Sequence, residues 1–195
     1  MSVVRVFTFR TVRPGFDSVV RGEMMPEMRS MSGLVEVFFG RQGPNDVGPR
    51  ILVSIWSSTE AMVAGVGDRL GVFHPECLSA TSDHVLEVFE HGIGDRVEGP
   101  PPTILRVFRG VVRPGELDAY VEDVRDGVEH DRRDEVGPIA LYLGATDDGA
   151  FVTASAWREW DDIARSTGGD IHEPNKTRHP ERLESWSIEH FEIVR

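Results

Sequence analysis

The sequence predicts an α+β protein built from two tandem copies of one βαββαβ unit, each about ninety residues long. Three observations carry this reading. Short segments recur in the same order at a nearly constant offset. Each half reads as strand, helix, two strands, helix, strand. A glycine- and proline-rich stretch divides the halves.

The recurrence is collinear. Arg5-Val6-Phe7 returns as Arg106-Val107-Phe108, and Val12-Arg13-Pro14-Gly15 as Val112-Arg113-Pro114-Gly115. Trp56 returns as Trp157, Gly67-Asp68 as Gly169-Asp170, His74-Pro75-Glu76-x-Leu78 as His179-Pro180-Glu181-x-Leu183, and Phe89-Glu90 as Phe191-Glu192. The offsets stay between 100 and 105, which points to a duplication.

The first strand is expected over 3–12, where Val and Phe are enriched, and it ends at the Arg13-Pro14-Gly15 turn. A helix follows in each copy. Phe16, Val19, Val20, Met24, Met28 and Met31 fall at helical spacing in copy one, as do Leu117, Tyr120, Val121, Val124 and Val128 in copy two. Pro26 would clash with the carbonyl of Gly22 four residues earlier, so the first helix is expected to kink. The middle strands are expected over 34–40 and 51–57, then 139–145 and 150–157; Asp147-Asp148-Gly149 is a tight hairpin signal, whereas copy one has a longer loop over 41–50. Short helices start after each Trp, and the last strands fall over 84–90 and 186–193. Residues 1–92 form the first unit, 93–102 a stiff linker ending in Pro100-Pro101-Pro102, and 103–195 the second unit. The element order is the ferredoxin-like split unit. Helices on one side of its sheet leave the other face bare, so the two units are expected to pack sheet to sheet through a pseudo-two-fold, as a monomer or within a homodimer.

Composition narrows the partners. A net charge of −12 argues against nucleic acid, and no apolar run approaches the roughly 18 residues of a membrane span. The lone Cys77 and the absence of a secretory pattern suit a cytoplasmic location.

Strand one ending in Arg-Pro-Gly, Trp closing strand three and Phe-Glu in strand four resemble the antibiotic biosynthesis monooxygenase family of the dimeric α+β barrel superfamily, here in a two-copy form. The resemblance spans nearly the whole chain. It implies an intramolecular dimeric α+β barrel that takes a small apolar or aromatic molecule, with cofactor-independent monooxygenation of an aromatic metabolite as the implied reaction. It also implies two alternatives, a haem-binding protein and a non-catalytic structural relative. Haem-degrading members use an Asn in strand one, the strand-three Trp, and a His nine or ten residues later. Those places hold Thr8 and Phe108, Trp56 and Trp157, and Gly65 and Ser166, so two of the three are replaced in each half.

The candidate residues each have a structural reading beside the functional one. Trp56 and Trp157 stack an aromatic ligand or close the core. Met24 and Met28, with Thr8, line an adaptable pocket in copy one, or the methionines fill its core. His74 and His179 are acid/base candidates with a carboxylate two residues on, or each begins a helix at its proline. Arg5 and Arg106 hold an acidic ligand at the sheet–sheet interface, or pair there with Glu36, Glu87 and Glu189. No residue set has the spacing of a metal site. The irregular first helix, its methionines and the long loop make copy one the expected ligand site, with copy two as scaffold.

Overall fold

The computed structural model describes residues 2–12, 14–43, 48–66, 81–133, 137–174 and 179–195, and side chains at 11–12, 81–84, 91 and 131–133 are outside this description. Arg13, Gly67-Asp68, the whole His74-Pro75-Glu76-x-Leu78 segment with Cys77, and the middle of the 41–50 loop lie outside the described residues.

The chain divides into two units: Met1–His91 with Phe191–Arg195, and Gly92–His190. Unit 1 contains β1 (Ser2–Val12), α1 (Phe16–Val19), a π-helical segment (Val20–Met24), α2 (Met25–Arg29), β2 (Leu34–Arg41), β3 (Arg50–Trp56), α3 (Thr59–Val66) and the first part of β4 (Thr81–Arg96). Its strands lie in the order β4-β1-β3-β2. Unit 2 contains β5 (Ile104–Val112), α4 (Leu117–Arg133), β6 (Ala140–Ala145), β7 (Ala150–Trp157), α5 (Trp160–Thr167), a 3-10 turn (Pro180–Arg182) and most of β8 (Leu183–Ile193). Its order is β8-β5-β7-β6, the same ferredoxin-like arrangement. The register repeats as well: Arg5 faces Ser54 and Arg106 faces Ser155, an offset of 101 on both strands. That offset matches Thr8 with Arg109 rather than with Phe108.

Each local feature has a sequence cause. Gly15 and Gly115 follow Pro and adopt φ of 88° and 83°, the left-handed conformation that only glycine takes cheaply. The 147–149 hairpin closes as expected, with Thr146 N–H donating to the Ala150 carbonyl at 2.9 Å and Gly149 at φ 89°. Pro26 does not simply bend its helix. The backbone widens into a π turn in which Met25 N–H donates to the Val20 carbonyl, and Pro26 then stands in the first turn of α2, where its missing N–H has no partner to lose.

Two boundaries differ from the sequence reading. β4 continues through Arg96, so residues 93–96, Gly94 among them, are strand rather than linker. A Cβ on Gly94 would stand 2.1 Å from the Tyr142 ring, so this glycine serves packing. The end of β8 belongs to unit 1, where Gly40 pairs with Ile193 and Arg41 with Glu192. Gly40 permits this, since a Cβ there would lie 2.6 Å from Phe191 Cβ.

In unit 1, Val3, Phe7, Phe9, Leu52 and Trp56 pack with Val20, Met24, Met25, Met28 and Met62 in one apolar cluster. Alternation puts Arg5 on that same face, under the helices. Arg106 likewise shares its face with Phe108, which packs with Tyr120 and Val124 of α4. The expectation that both arginines meet at a sheet–sheet interface is therefore corrected: the face was assigned the wrong neighbour. Glu189 pairs with Arg109 instead.

Candidate functional site

Two-residue alternation brings chemically distinct side chains to one face of the unit 2 sheet. Along β5 these are Arg106 and Phe108; along β7 they are Ser155 opposite Arg106, Thr153 opposite Phe108, and Trp157 two residues on from Ser155. Tyr120 and Val124 of α4, Leu141 of β6, Ser166 and Thr167 of α5, and Pro138 complete the wall of a cavity. Its free space is about 30 Å³, near the share of one water molecule. A ring-sized ligand enters only with movement of that wall.

The polar groups are held by short contacts. Trp157 Nε1–H donates to Ser155 Oγ at 2.9 Å, and Ser155 Oγ–H to the Arg106 carbonyl at 3.3 Å. Arg106 Nη2 donates to the Glu173 carbonyl at 2.7 Å, and its Cζ stands 5.9 Å from the Phe108 ring centroid. Thr167 Oγ1 donates to the Ile163 carbonyl at 3.0 Å. Thr153 is different. It is 7% exposed, and its Oγ1 has no hydrogen-bond partner among the described residues. Leaving a buried hydroxyl unpaired costs about 1–3 kcal/mol, so this atom calls for a polar partner in the cavity.

The lining contains one cation, several hydroxyls and three aromatic rings, with no carboxylate or imidazole. Such a wall retains an anionic or phenolic group; it does not supply a general base. His190 lies nearby in unit 2, its ring 5.3 Å from those of Trp160 and His172. Burial, then the charge of Arg106 and then His172, lowers its pKa to about 4, so it is neutral at physiological pH.

The sequence candidates are scattered. Trp157 lines the cavity. Trp56, Met24 and Met28 are at most 3% exposed and pack in the unit 1 core. Thr8 is on the opposite face of β1, away from those three side chains. His179 is exposed; its Nδ1 lies 2.7 Å from Glu181 Oε1, and Pro180 begins the 3-10 turn, which is the structural reading of that motif. Backbone hydrogen bonding first, and then His179, holds the Glu181 carboxyl below its usual range. His74 lies outside the described residues. Among the described residues no three His, Cys, Asp or Glu side chains gather as a metal site.

Ser54 and Ser155 were missed in the sequence. Trp56 Nε1–H donates to Ser54 Oγ at 3.0 Å, the duplicate of the Trp157–Ser155 bond. The signal was there as Ser-x-Trp closing both third strands.

The second-helix position that the resemblance makes a haem ligand holds Gly65 in unit 1 and Ser166 in unit 2. A Cβ on Gly65 would lie 2.7 Å from Trp56 Cη2, so no imidazole fits there with the ring in place. Ser166 offers no nitrogen.

No family model matches the chain, and no curated protein does. Solved structures do. The chain is similar over its full length to a candidate monooxygenase of Fusobacterium nucleatum, with a TM-score of 0.75, 12% identity and 93% of that chain covered. It is similar to a candidate monooxygenase of Lactobacillus acidophilus with a TM-score of 0.70, 10% identity, and coverage of 100% of this chain and 94% of that one. An anthrone oxidase-like protein matches with a TM-score of 0.63 and 13% identity over 100% of this chain and 92% of the other. At these identities the likeness shows the fold alone. Among the described residues no helix is long and apolar enough to cross a membrane.

Proposed function

We propose that this protein binds a small phenolic aromatic molecule in the unit 2 cavity and oxidises it with molecular oxygen, without a cofactor. The observation that carries the reading is the buried Thr153 hydroxyl, without a partner among the described residues, in an aromatic-walled cavity that Arg106 also lines. Arg106 holds the ligand's phenolate, Thr153 donates a second hydrogen bond to it, and Phe108, Tyr120 and Trp157 pack against the ring. An electron-rich phenolate passes electrons to oxygen itself; the protein supplies orientation and a dry surround. In the balanced reaction a ring methylene loses two hydrogens and gains one oxygen atom as a ketone, and the second oxygen atom leaves as water. The expected ligand site thus moves from copy one to copy two. A reducing cytoplasm suits the lone Cys77.

The test is oxygen uptake with 1,8-dihydroxyanthrone as probe. Wild type is expected to exceed the buffer rate, Arg106→Met to lose about a hundredfold, and Thr153→Val about tenfold. Uptake at the buffer rate, or variants as fast as wild type, would refute the proposal.

A further inference from the structure

Unit 1 carries the duplicate of Arg106 in a different condition. Arg5 is 1% exposed, stands opposite Ser54, and lies between Val3 and Phe7 on the face packed under the helices. Its Nε and Nη2 are buried without a hydrogen-bond partner among the described residues. Its Cζ stands over the Phe7 ring, 5.5 Å from the centroid. Burial lowers its pKa to about 10, which still leaves it charged at neutral pH. A buried guanidinium with no acceptor is among the costliest arrangements a core can hold.

The identity of the two atoms matters. Nε and Nη2 form the side of the guanidinium that grips a carboxylate with two parallel bonds. Arg50, in the same unit, uses that pair on Asp17: Nε to Oδ1 at 2.7 Å and Nη2 to Oδ2 at 3.2 Å. Arg5 shares its sheet face with the apolar unit 1 cluster, whose members include Phe7, Trp56, Met28 and Met62, side chains that are bulky or adaptable.

We propose that Arg5 anchors a second ligand site, in unit 1, which takes a small monocarboxylate with an apolar body. The carboxylate bridges Nε and Nη2, and the body lies among the aromatic and methionine side chains. This site stands whether or not the unit 2 cavity oxidises a phenol, because it rests on a different arginine.

The experiment titrates sodium benzoate into the full chain at constant ionic strength, in an Arg106→Met background that removes the other cation. Heat of binding and the signal of the Arg5 Nε–H are followed together. Saturable binding with a shift of that signal is expected. Arg5→Lys, which keeps the charge and loses the fork, is expected to weaken binding at least about tenfold, and Arg5→Met to abolish it. Should Arg5→Met fail to fold, Arg5→Lys alone decides. Benzoate binding that survives Arg5→Lys unchanged, no binding at all, or an equal response to chloride would each overturn the assignment.

Discussion

Position 50 of unit 1 and position 151 of unit 2 occupy the same place in the sheet, opposite Phe9 and Gly110 respectively. Unit 1 fills it with Arg50, fully buried and forked onto Asp17, with Nη1 donating to the carbonyls of Gln42, Gly48 and Pro49 at 3.1–3.4 Å. Unit 2 fills it with Phe151, whose ring lies 5.2 Å from Phe108 and 4.7 Å from Tyr120. The duplicated fold thus accepts a satisfied ion pair or an aromatic cluster at one site. The two differ in how they fail. An aromatic cluster loses contacts one at a time, whereas a buried ion pair that loses one partner strands a charge.

The largest expected effect follows from that difference. Asp17→Ala is expected to cost about 3–5 kcal/mol by urea denaturation, while Asp118→Ala at the exposed matching position costs under about 0.5 kcal/mol. Equal costs would break the comparison. A second pair tests how each tryptophan is packed. Gly65→Ser forces a Cβ against Trp56 and is expected to cost about 1–3 kcal/mol, whereas Ser166→Gly, beside the unit 2 cavity, costs about 0.5 kcal/mol from helix propensity. If the serine is accepted in unit 1 without cost, the tight Trp56 packing is wrong.

Acid should separate the units next. His190 has a folded pKa near 4, below the unfolded value of 6.5. The unfolded chain therefore takes up the proton first, so this group's stabilisation is present above about 6.5 and is lost as pH falls toward 4. Because the ring is partly exposed, the loss is discounted to roughly 1–2 kcal/mol. Thermal melts between pH 7 and 4 should show it in wild type and not in His190→Gln; identical pH profiles would remove His190 from the account. The smallest effect is Pro26→Ala, expected to shift stability by less than about 1 kcal/mol, because the π turn already relieves the clash that costs about 3 kcal/mol in a regular helix. A gain near the full amount would show that the strain persists.

The duplication, the element order, the 147–149 hairpin and the irregularity at Pro26 were legible because each is written in local residue chemistry. The rest depends on neighbours distant in sequence. Alternation places Arg5 with Phe7, yet which layer covers that face is decided by Met24, Met28 and Met62 packing onto it. Gly94 looks like linker until Tyr142 is seen to need the room. The cavity residues were half visible: Trp157 stood out as a large repeated ring, whereas Thr153 and Ser155 are small and ordinary in a strand. Their importance comes from what they do or do not bond.

The pairing of β2 with the tip of β8 reaches into the order of synthesis. Arg41 and Glu192, joined by a 3.3 Å hydrogen bond, are 151 residues apart. At a ribosomal pace of about 5–20 residues per second, roughly 8–30 s pass between their emergence. Unit 1 therefore cannot be finished as a nascent domain before unit 2 is made. For that interval Gly40 and Arg41 lack their final strand neighbour and Phe39 lacks the Val194 N–H that its carbonyl accepts at 2.8 Å. An open strand edge is a template for a wrong partner. Until Phe191–Arg195 are made, that edge of unit 1 must be kept from other strands, a requirement that the stability of the finished fold does not meet.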